Sequence, residues 1–130
     1  MKKTLITAGL LASLLPFAST TLADGAIRHV QKGTASFYHD SLHGRKTASG
    51  QVYSKHRLSA AHKTLPLGTK IRVTDTKTGR SIVVRVNDRG PFVKGRILDL
   101  SKQAAQELGI VKRGVAKVEV KVLGSDRRGS

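Results

Sequence analysis

Apolar and polar positions alternate with a period of two along much of this chain, which is the spacing of half-buried strands. Over 69–75, Ile71 and Val73 stand against Arg72 and Thr74. Over 114–123, Val118, Val120 and Val122 fall in register after Val115. Residues 80–87 carry a β-branched run, 96–100 and 32–38 read as shorter strands, and 51–55 as a brief pairing segment. Asp75-Thr76-Lys77-Thr78-Gly79 is a hairpin connection with glycine at its end. Residues 39–50 are polar and contain glycine, so they read as a long surface loop, and 58–62 as a small-residue segment leading into a turn. One helix is expected, over 102–108, with Ser101 as its N-cap and Gly109 as its C′ stop. Short strands, one short helix and few aromatics predict a mainly β fold, a small closed barrel whose closure also removes exposed strand edges.

The first 23 residues do not share this pattern. Met1-Lys2-Lys3 precedes a largely apolar run over 5–17 and then Thr21-Leu22-Ala23, the pattern of a secretory signal cut near Ala23. The run is too short for a comfortable membrane span. The expectation is an exported chain, in the periplasm or cell-wall space and not membrane-spanning, with a flexible lead-in over 24–31, a domain over 32–123 and a polar tail over 124–130. There is no cysteine, so neither disulfides nor a thiol for a lipid anchor are expected. Loss of the signal takes two lysines and no acid from the 24 basic and 8 acidic residues, which leaves a net charge of +14. Such a charge favours anionic partners through a field that salt screens. Export argues against nucleic acid and for the anionic polymers and carboxylates of a bacterial wall. The basic residues are also scattered, as on a surface that serves solubility. A monomer is expected.

Candidate chemistry narrows by elimination. Without cysteine, thiol catalysis and thiolate metal sites are excluded. The five histidines show no HExxH-like spacing, so neither a metal nor a cofactor is expected. There is no GxSxG elbow and no phosphate-binding glycine loop. Among the acids, Asp75 opens a hairpin, Asp99 precedes a helix start, and Glu107 and Glu119 fit surface positions. Asp88 is different. It ends the run Val83-Val84-Arg85-Val86-Asn87-Asp88-Arg89-Gly90-Pro91-Phe92 and shares the parity of Ile82, Val84 and Val86. If that row faces the core, Asp88 is a carboxylate at the rim of an apolar interior, where desolvation favours the protonated form a general acid needs. Alternatively it is a turn residue that accepts nearby backbone N–H groups. His62 is its possible partner, or a structural histidine whose nitrogens satisfy local hydrogen bonds.

Five stretches resemble one family in order: Gly33-Thr34-Ala35-Ser36-Phe37-Tyr38, His43-Gly44-Arg45-Lys46-Thr47-Ala48-Ser49-Gly50, Ala60-Ala61-His62-Lys63-Thr64-Leu65-Pro66, Arg85-Val86-Asn87-Asp88-Arg89-Gly90-Pro91 and Arg96-Ile97-Leu98-Asp99-Leu100-Ser101. They look like the RlpA (rare lipoprotein A) family and cover nearly all of 32–123. The resemblance implies a six-stranded double-psi β-barrel, related to expansins and to the MltA lytic transglycosylases. It implies cleavage of peptidoglycan glycan strands with formation of a 1,6-anhydro sugar end, in cell-wall remodelling. Carried over by residue, Asp88 matches the family's acid/base aspartate, His62 its active-site histidine and Tyr38 a groove-lining tyrosine; Arg89 joins the substrate-binding set. The family often has Gly-Glu-x-Tyr-Asp where this chain has Gly50-Gln51-Val52-Tyr53-Ser54. Gln51 and Ser54 can hydrogen-bond sugar hydroxyls but cannot exchange a proton near neutral pH. The lipid-bearing cysteine and the C-terminal glycan-binding domain of many members have no counterpart in this sequence.

A lytic transglycosylase needs only one acid/base group, because its nucleophile is the substrate's own C6 hydroxyl. Asp88 would serve as both acid and base, with His62 and Gln51 holding it and the sugar in line. The competing reading is a non-catalytic, expansin-like module that binds wall glycan, and Gln51 and Ser54 favour it. A third, an exported nucleic-acid binder, rests on charge alone.

Overall fold

The computed structural model describes residues 30–125; the expected signal, lead-in residues 24–29 and tail residues 126–130 lie outside them. In chain order the elements are β1 (Val30–Phe37), a 3-10 turn (Asp40–Leu42), β2 (Ser59–Ala61), β3 (Thr69–Asp75), β4 (Ser81–Asp88), β5 (Arg96–Leu100), α1 (Lys102–Leu108) and β6 (Ala116–Ser125). The six strands close a barrel in the order β1-β5-β2-β4-β3-β6. β1/β5 and β2/β4 are parallel, whereas β2/β5, β3/β4 and β3/β6 are antiparallel. This is the mainly β barrel with one short helix that the alternation predicts.

The period of two fills the interior. Ile71 and Val73 of β3, Val84 and Val86 of β4, and Val118 and Val120 of β6 are buried, while Lys70, Arg72, Lys117 and Lys121 between them are exposed. Full burial of each such side chain contributes about 1.5–3 kcal/mol before the entropic cost of ordering it. Helix α1 buries Ala104, Ala105 and Leu108. Ser101 caps it by accepting the N–H of Ala104, and Gly109 ends it at φ 82°, a conformation that costs glycine little.

Some boundaries differ from the alternation. β2 forms at Ser59–Ala61, where the small residues carry no strand signal, because β4 and β5 pair with it on either side. The pairing expected at 51–55 is a single bridge between Lys46 and Val52. β6 runs on through Gly124 and Ser125, which pair with Lys70 and Thr69. β1 starts at Val30, ahead of the expected domain edge.

One irregularity sets the functional end of the barrel. Against β2, Ala60 pairs with Val86 but Ala61 pairs with Asp88, so Asn87 is an extra residue on β4. This bulge breaks the alternation that would put Asp88 in the row of Val84 and Val86. The row across the sheet then reads Ser36, Asp99, Ala61, Asp88 on β1, β5, β2 and β4. Two aspartates therefore flank the small Ala61, their backbones two strand spacings, or about 10 Å, apart.

Two polar groups brace the turns. Asp75 is fully buried at the start of the β3–β4 hairpin, where it accepts Lys77 N–H and Thr78 Oγ1 at 3.1 Å and pairs with Arg113. Burial pushes its pKa up, but the hydrogen bonds and the Arg113 charge outweigh burial and leave it below the ordinary 3.8. His62, 4% exposed, follows β2. Its Nδ1 accepts the N–H groups of Thr64 and Leu65 at 3.1 Å, so its Nε2 carries the proton and donates to Gln31 Oε1 at 2.8 Å. Burial first, then Arg89 and Lys63, hold its pKa below 6.5.

Acidification should therefore reach the fold in two windows. His62 takes up a proton more readily in the unfolded chain, so stability is complete above about pH 6.5 and declines as pH falls towards its lower folded value. The Asp75 contribution is present above about pH 3.8 and is lost as pH falls through its depressed folded value. Thermal unfolding across pH tests both. His62→Asn should flatten the upper decline and leave the lower one intact; an unchanged upper limb would uncouple the ring from stability. Arg113→Leu should cost about 2–3 kcal/mol at neutral pH, discounted because the guanidinium is part-exposed, and should weaken the lower limb.

Candidate active site

Asp88 stands at the end of β4, just past the bulge, and three separate donors meet its carboxylate. Oδ1 accepts the backbone N–H groups of Ala48 and Arg89, each at 2.9 Å, and Oδ2 accepts the Tyr38 hydroxyl. Its own carbonyl accepts the N–H of His62 at 3.1 Å, which continues the β2–β4 pairing.

Each donor is placed by local structure. Tyr38 follows β1, and its N–H bonds the carbonyl of Leu100 on β5 at 2.9 Å. Ala48 lies in a loop closed on itself by Thr47, whose N–H and hydroxyl both reach the Gln51 carbonyl. Gly50, at φ 92°, makes the reversal, and Ser49 N–H docks the loop on the carbonyl of bulge residue Asn87. Behind Tyr38 lies the buried Tyr53 ring, 4.5 Å between centroids and tilted by 59°. Tyr53 is itself held by the N–H of Lys102, which donates to its hydroxyl at 3.1 Å. Burial first, then the hydrogen bond to Asp88 and the charges of Asp88 and Asp99, raise the Tyr38 phenol well above 10.0. Tyr38 therefore remains a donor at any physiological pH.

These groups line a cavity of ≈ 310 Å³. Its lining is drawn from two parts of the chain, Tyr38 to Tyr53 and Asp88 to Asp99. Asp99 accepts the Ser36 hydroxyl at 2.6 Å and pairs with Arg96 at 3.0 Å. Arg45 and Lys46 are exposed at the rim.

Of the residues expected at the site, Tyr38, Asp88 and Arg89 share this cavity. The Arg89 guanidinium donates to the carbonyls of His62 and Leu65 at 3.1 and 2.6 Å, so it staples the turn after β2 to the end of β4. The His62 ring faces Gln31 and its own turn and does not line the cavity. Gln51 lines a neighbouring cavity of ≈ 270 Å³ with Ser49 and Asn87, and its Oε1 accepts from Asn87 Nδ2 at 3.2 Å. Ser54 Oγ accepts His56 N–H at 3.1 Å, outside both cavities. Among the described residues, no three of His, Cys, Asp and Glu converge to hold a metal ion.

Sequence reasoning passed over Tyr53 and Asp99. Tyr53 is one of only two tyrosines and sits inside a quoted motif. Asp99 was assigned to the helix start, yet aspartate is disfavoured in strands, and its place in the middle of Arg96-Ile97-Leu98-Asp99-Leu100 was a usable signal.

Residues 30–120 match the family model described as Lytic transglycolase. The chain is 50% identical over 110 residues to the endolytic peptidoglycan transglycosylase RlpA of Pasteurella multocida, covering 85% of this chain and 37% of that one. The RlpA of Neisseria meningitidis serogroup B is 54% identical over 90 residues, 69% of this chain and 38% of that one. The chain thus spans little more than a third of these curated relatives. Among solved structures, Streptomyces papain inhibitor aligns at TM-score 0.59 with 25% identity, over 72% of this chain and 94% of that one. The Clavibacter michiganensis expansin aligns at 0.57 with 24% identity, over 72% and 50%, and shares the double-psi barrel fold. By the match over its barrel, and by the RlpA-like motifs that build its cavity, the chain belongs to the lytic transglycolase family.

Proposed function

We propose that this chain is a peptidoglycan lytic transglycosylase, exported to the wall, that cuts glycan strands and leaves 1,6-anhydro-muramyl ends. The observation that carries this reading is the Asp88 carboxylate, gripped by Tyr38, Ala48 and Arg89 in an open cavity of a chain of this family. Protonated Asp88 gives its proton to the glycosidic oxygen as the C1–O bond breaks. The C6 hydroxyl of the same sugar then attacks C1, and its proton passes to the Asp88 carboxylate. The group ends as it began, no water is consumed, and one carboxylate suffices where hydrolysis uses two.

The neighbours have distinct parts in this scheme. Tyr38, locked in its protonated form, fixes Oδ2, while the N–H groups of Ala48 and Arg89 hold Oδ1. Asp99, ion-paired with Arg96 and bonded by Ser36, presents its carboxylate to hydroxyls of the bound strand. His62 and Arg89 are positioning residues, since they fix the backbone on which Asp88 is mounted. Gln51 reaches the site through Asn87, whereas Ser54 is bonded to the His56 N–H outside the cavity.

Asp88→Asn keeps the Oδ1 acceptor, so it should fold with at most a small drop in melting temperature, and it should lose roughly 10²–10⁴-fold in rate, the usual worth of a general acid/base. Mass spectrometry of the fragments released from purified, peptide-free glycan strands is the measurement. Undiminished anhydro product from Asp88→Asn removes Asp88 from the chemistry. Binding without product from the unaltered protein moves the chain to the glycan-binding reading.

The exposed Arg45 and Lys46 at the rim, with the wider cationic surface, give a second test. Retention on intact wall material should fall several-fold as salt rises from about 0.1 to 0.5 M, because the screening length shrinks below the reach of these charges. Arg45→Gln with Lys46→Gln should flatten that dependence. Retention that ignores salt shows that the charge serves solubility.

A further inference from the structure

The cavity has one feature that acid/base chemistry does not use. Phe92 is 80% exposed, and Val93 beside it is 50% exposed. Single exposed hydrophobics are ordinary on a protein surface. Phe92 is not such a case, because it stands four residues from Asp88 and lines the same cavity. The other aromatic side chains of the described residues are placed differently. Tyr53 is buried, Tyr38 is half-buried and bonded to Asp88, and Phe37 packs on the core. The backbone under Phe92 is firm. Gly90 and Pro91 are buried, and Gly90 takes φ 123°, which a side chain rarely adopts. The Phe92 ring lies on the side of Gly90 where a Cβ would point, with most of its surface open to solvent.

We propose that Phe92 is the sugar-stacking residue of this site: it receives the C–H face of a pyranose ring of the glycan strand and so sets which linkage lies over Asp88. A pyranose is amphipathic, with axial C–H bonds on one face and hydroxyls at its edge. The cavity mirrors this division. Its lining combines the exposed apolar Phe92 and Val93, the exposed cations Arg45 and Lys46, and the carboxylates of Asp88 and Asp99. A ring laid on Phe92 keeps its polar edge among cations and carboxylates that can hydrogen-bond its hydroxyls. Aromatic faces supply large apolar contact at little loss of conformational freedom, which suits a site that must slide along a repeating polymer. The inference rests on the glycan-cleaving reading above and adds the residue that positions the strand.

The chain contains no tryptophan, so Phe92→Trp introduces a unique fluorophore at the proposed contact. In an Asp88→Asn background, where strands are held and not cut, soluble peptide-free glycan should change the emission of the introduced indole in a saturable way. With Asp88 present, Phe92→Ala should raise KM about tenfold with kcat within about twofold, the mark of binding that is uniform between ground and transition states. Phe92→Trp should keep KM near the unaltered value, and the melting profile should not move in either variant. The proposal is overturned if calorimetry shows strands binding while the indole emission stays constant, or if Phe92→Ala lowers kcat and leaves KM in place. Failure of the underlying reading looks different: the unaltered protein neither binds nor cuts glycan, and the proposal falls with it.

Discussion

Three stretches far apart in sequence meet on one carboxylate. Asp88 accepts from Tyr38, fifty residues earlier, from Ala48, forty earlier, and from its own neighbour Arg89. Each contact closes a different part of the molecule. Tyr38 fixes the exit of β1, Ala48 fixes the loop that walls the cavity, and the Arg89 N–H fixes the turn out of β4. Removing those acceptors would leave the Ala48 N–H and the Tyr38 hydroxyl without their partner, at a cost of about 1–3 kcal/mol for whichever stays dry. The loop over 43–53 contributes no side chain to the apolar core cluster and depends on such polar contacts for its place. The group proposed to act on substrate is therefore also the one that shapes the site.

Three aspartates show how position decides the role of one residue type. Asp75 is sealed in the hairpin with Arg113 and has no route to solvent or ligand. Asp99 is neutralised by Arg96 and steadied by Ser36. Asp88 has no cationic side chain bonded to it among the described residues, since the adjacent Arg89 guanidinium turns away to two carbonyls. An acid that must gain and lose a proton within one turnover is better served by neutral donors than by a salt bridge, which would hold it ionised. Six charged residues line the cavity, yet Arg96 is spent on Asp99 and the Arg89 guanidinium on two carbonyls, so neither side chain bonds Asp88.

Much of this was legible in the sequence, wherever a local rule and the tertiary structure agree. β3 and β5 fall where the alternation puts them, and α1 has both its predicted caps, Ser101 and Gly109. β2 was not legible, because Ser59-Ala60-Ala61 has no period and becomes a strand only between β4 and β5. The bulge at Asn87 was hidden for the same reason. It exists only relative to the parallel pairing with β2, and it changes where Asp88 points without any change of composition. Parity therefore singled out Asp88 by a route that the bulge bypasses. Asp99 was overlooked because a valid local role, preceding a helix cap, masked its place in the row with Asp88. His62 illustrates the opposite limit: residue type and motif mark it, and only the hydrogen bonds to Thr64, Leu65 and Gln31 show that its ring is occupied.

The departure at Gln51 then takes on a structural meaning. The side chain at position 51 reaches towards Asp88 through Asn87: the side-chain oxygen of Gln51 accepts from Asn87 Nδ2, and the same loop docks Ser49 N–H on the Asn87 carbonyl. A carboxylate at this position would accept the same hydrogen bond, so the amide conserves the docking of the loop and gives up only a negative charge. That charge would stand on the far side of the bulge, in the neighbouring cavity. Its loss leaves the geometry of the three donors to Asp88 intact. For a reaction whose nucleophile is carried by the substrate, the demands on the protein reduce to one well-aimed acid and a strand held in register. In the proposed reaction the bulge, the docked loop and the exposed Phe92 are the parts assigned to those demands, with no second acid at position 51.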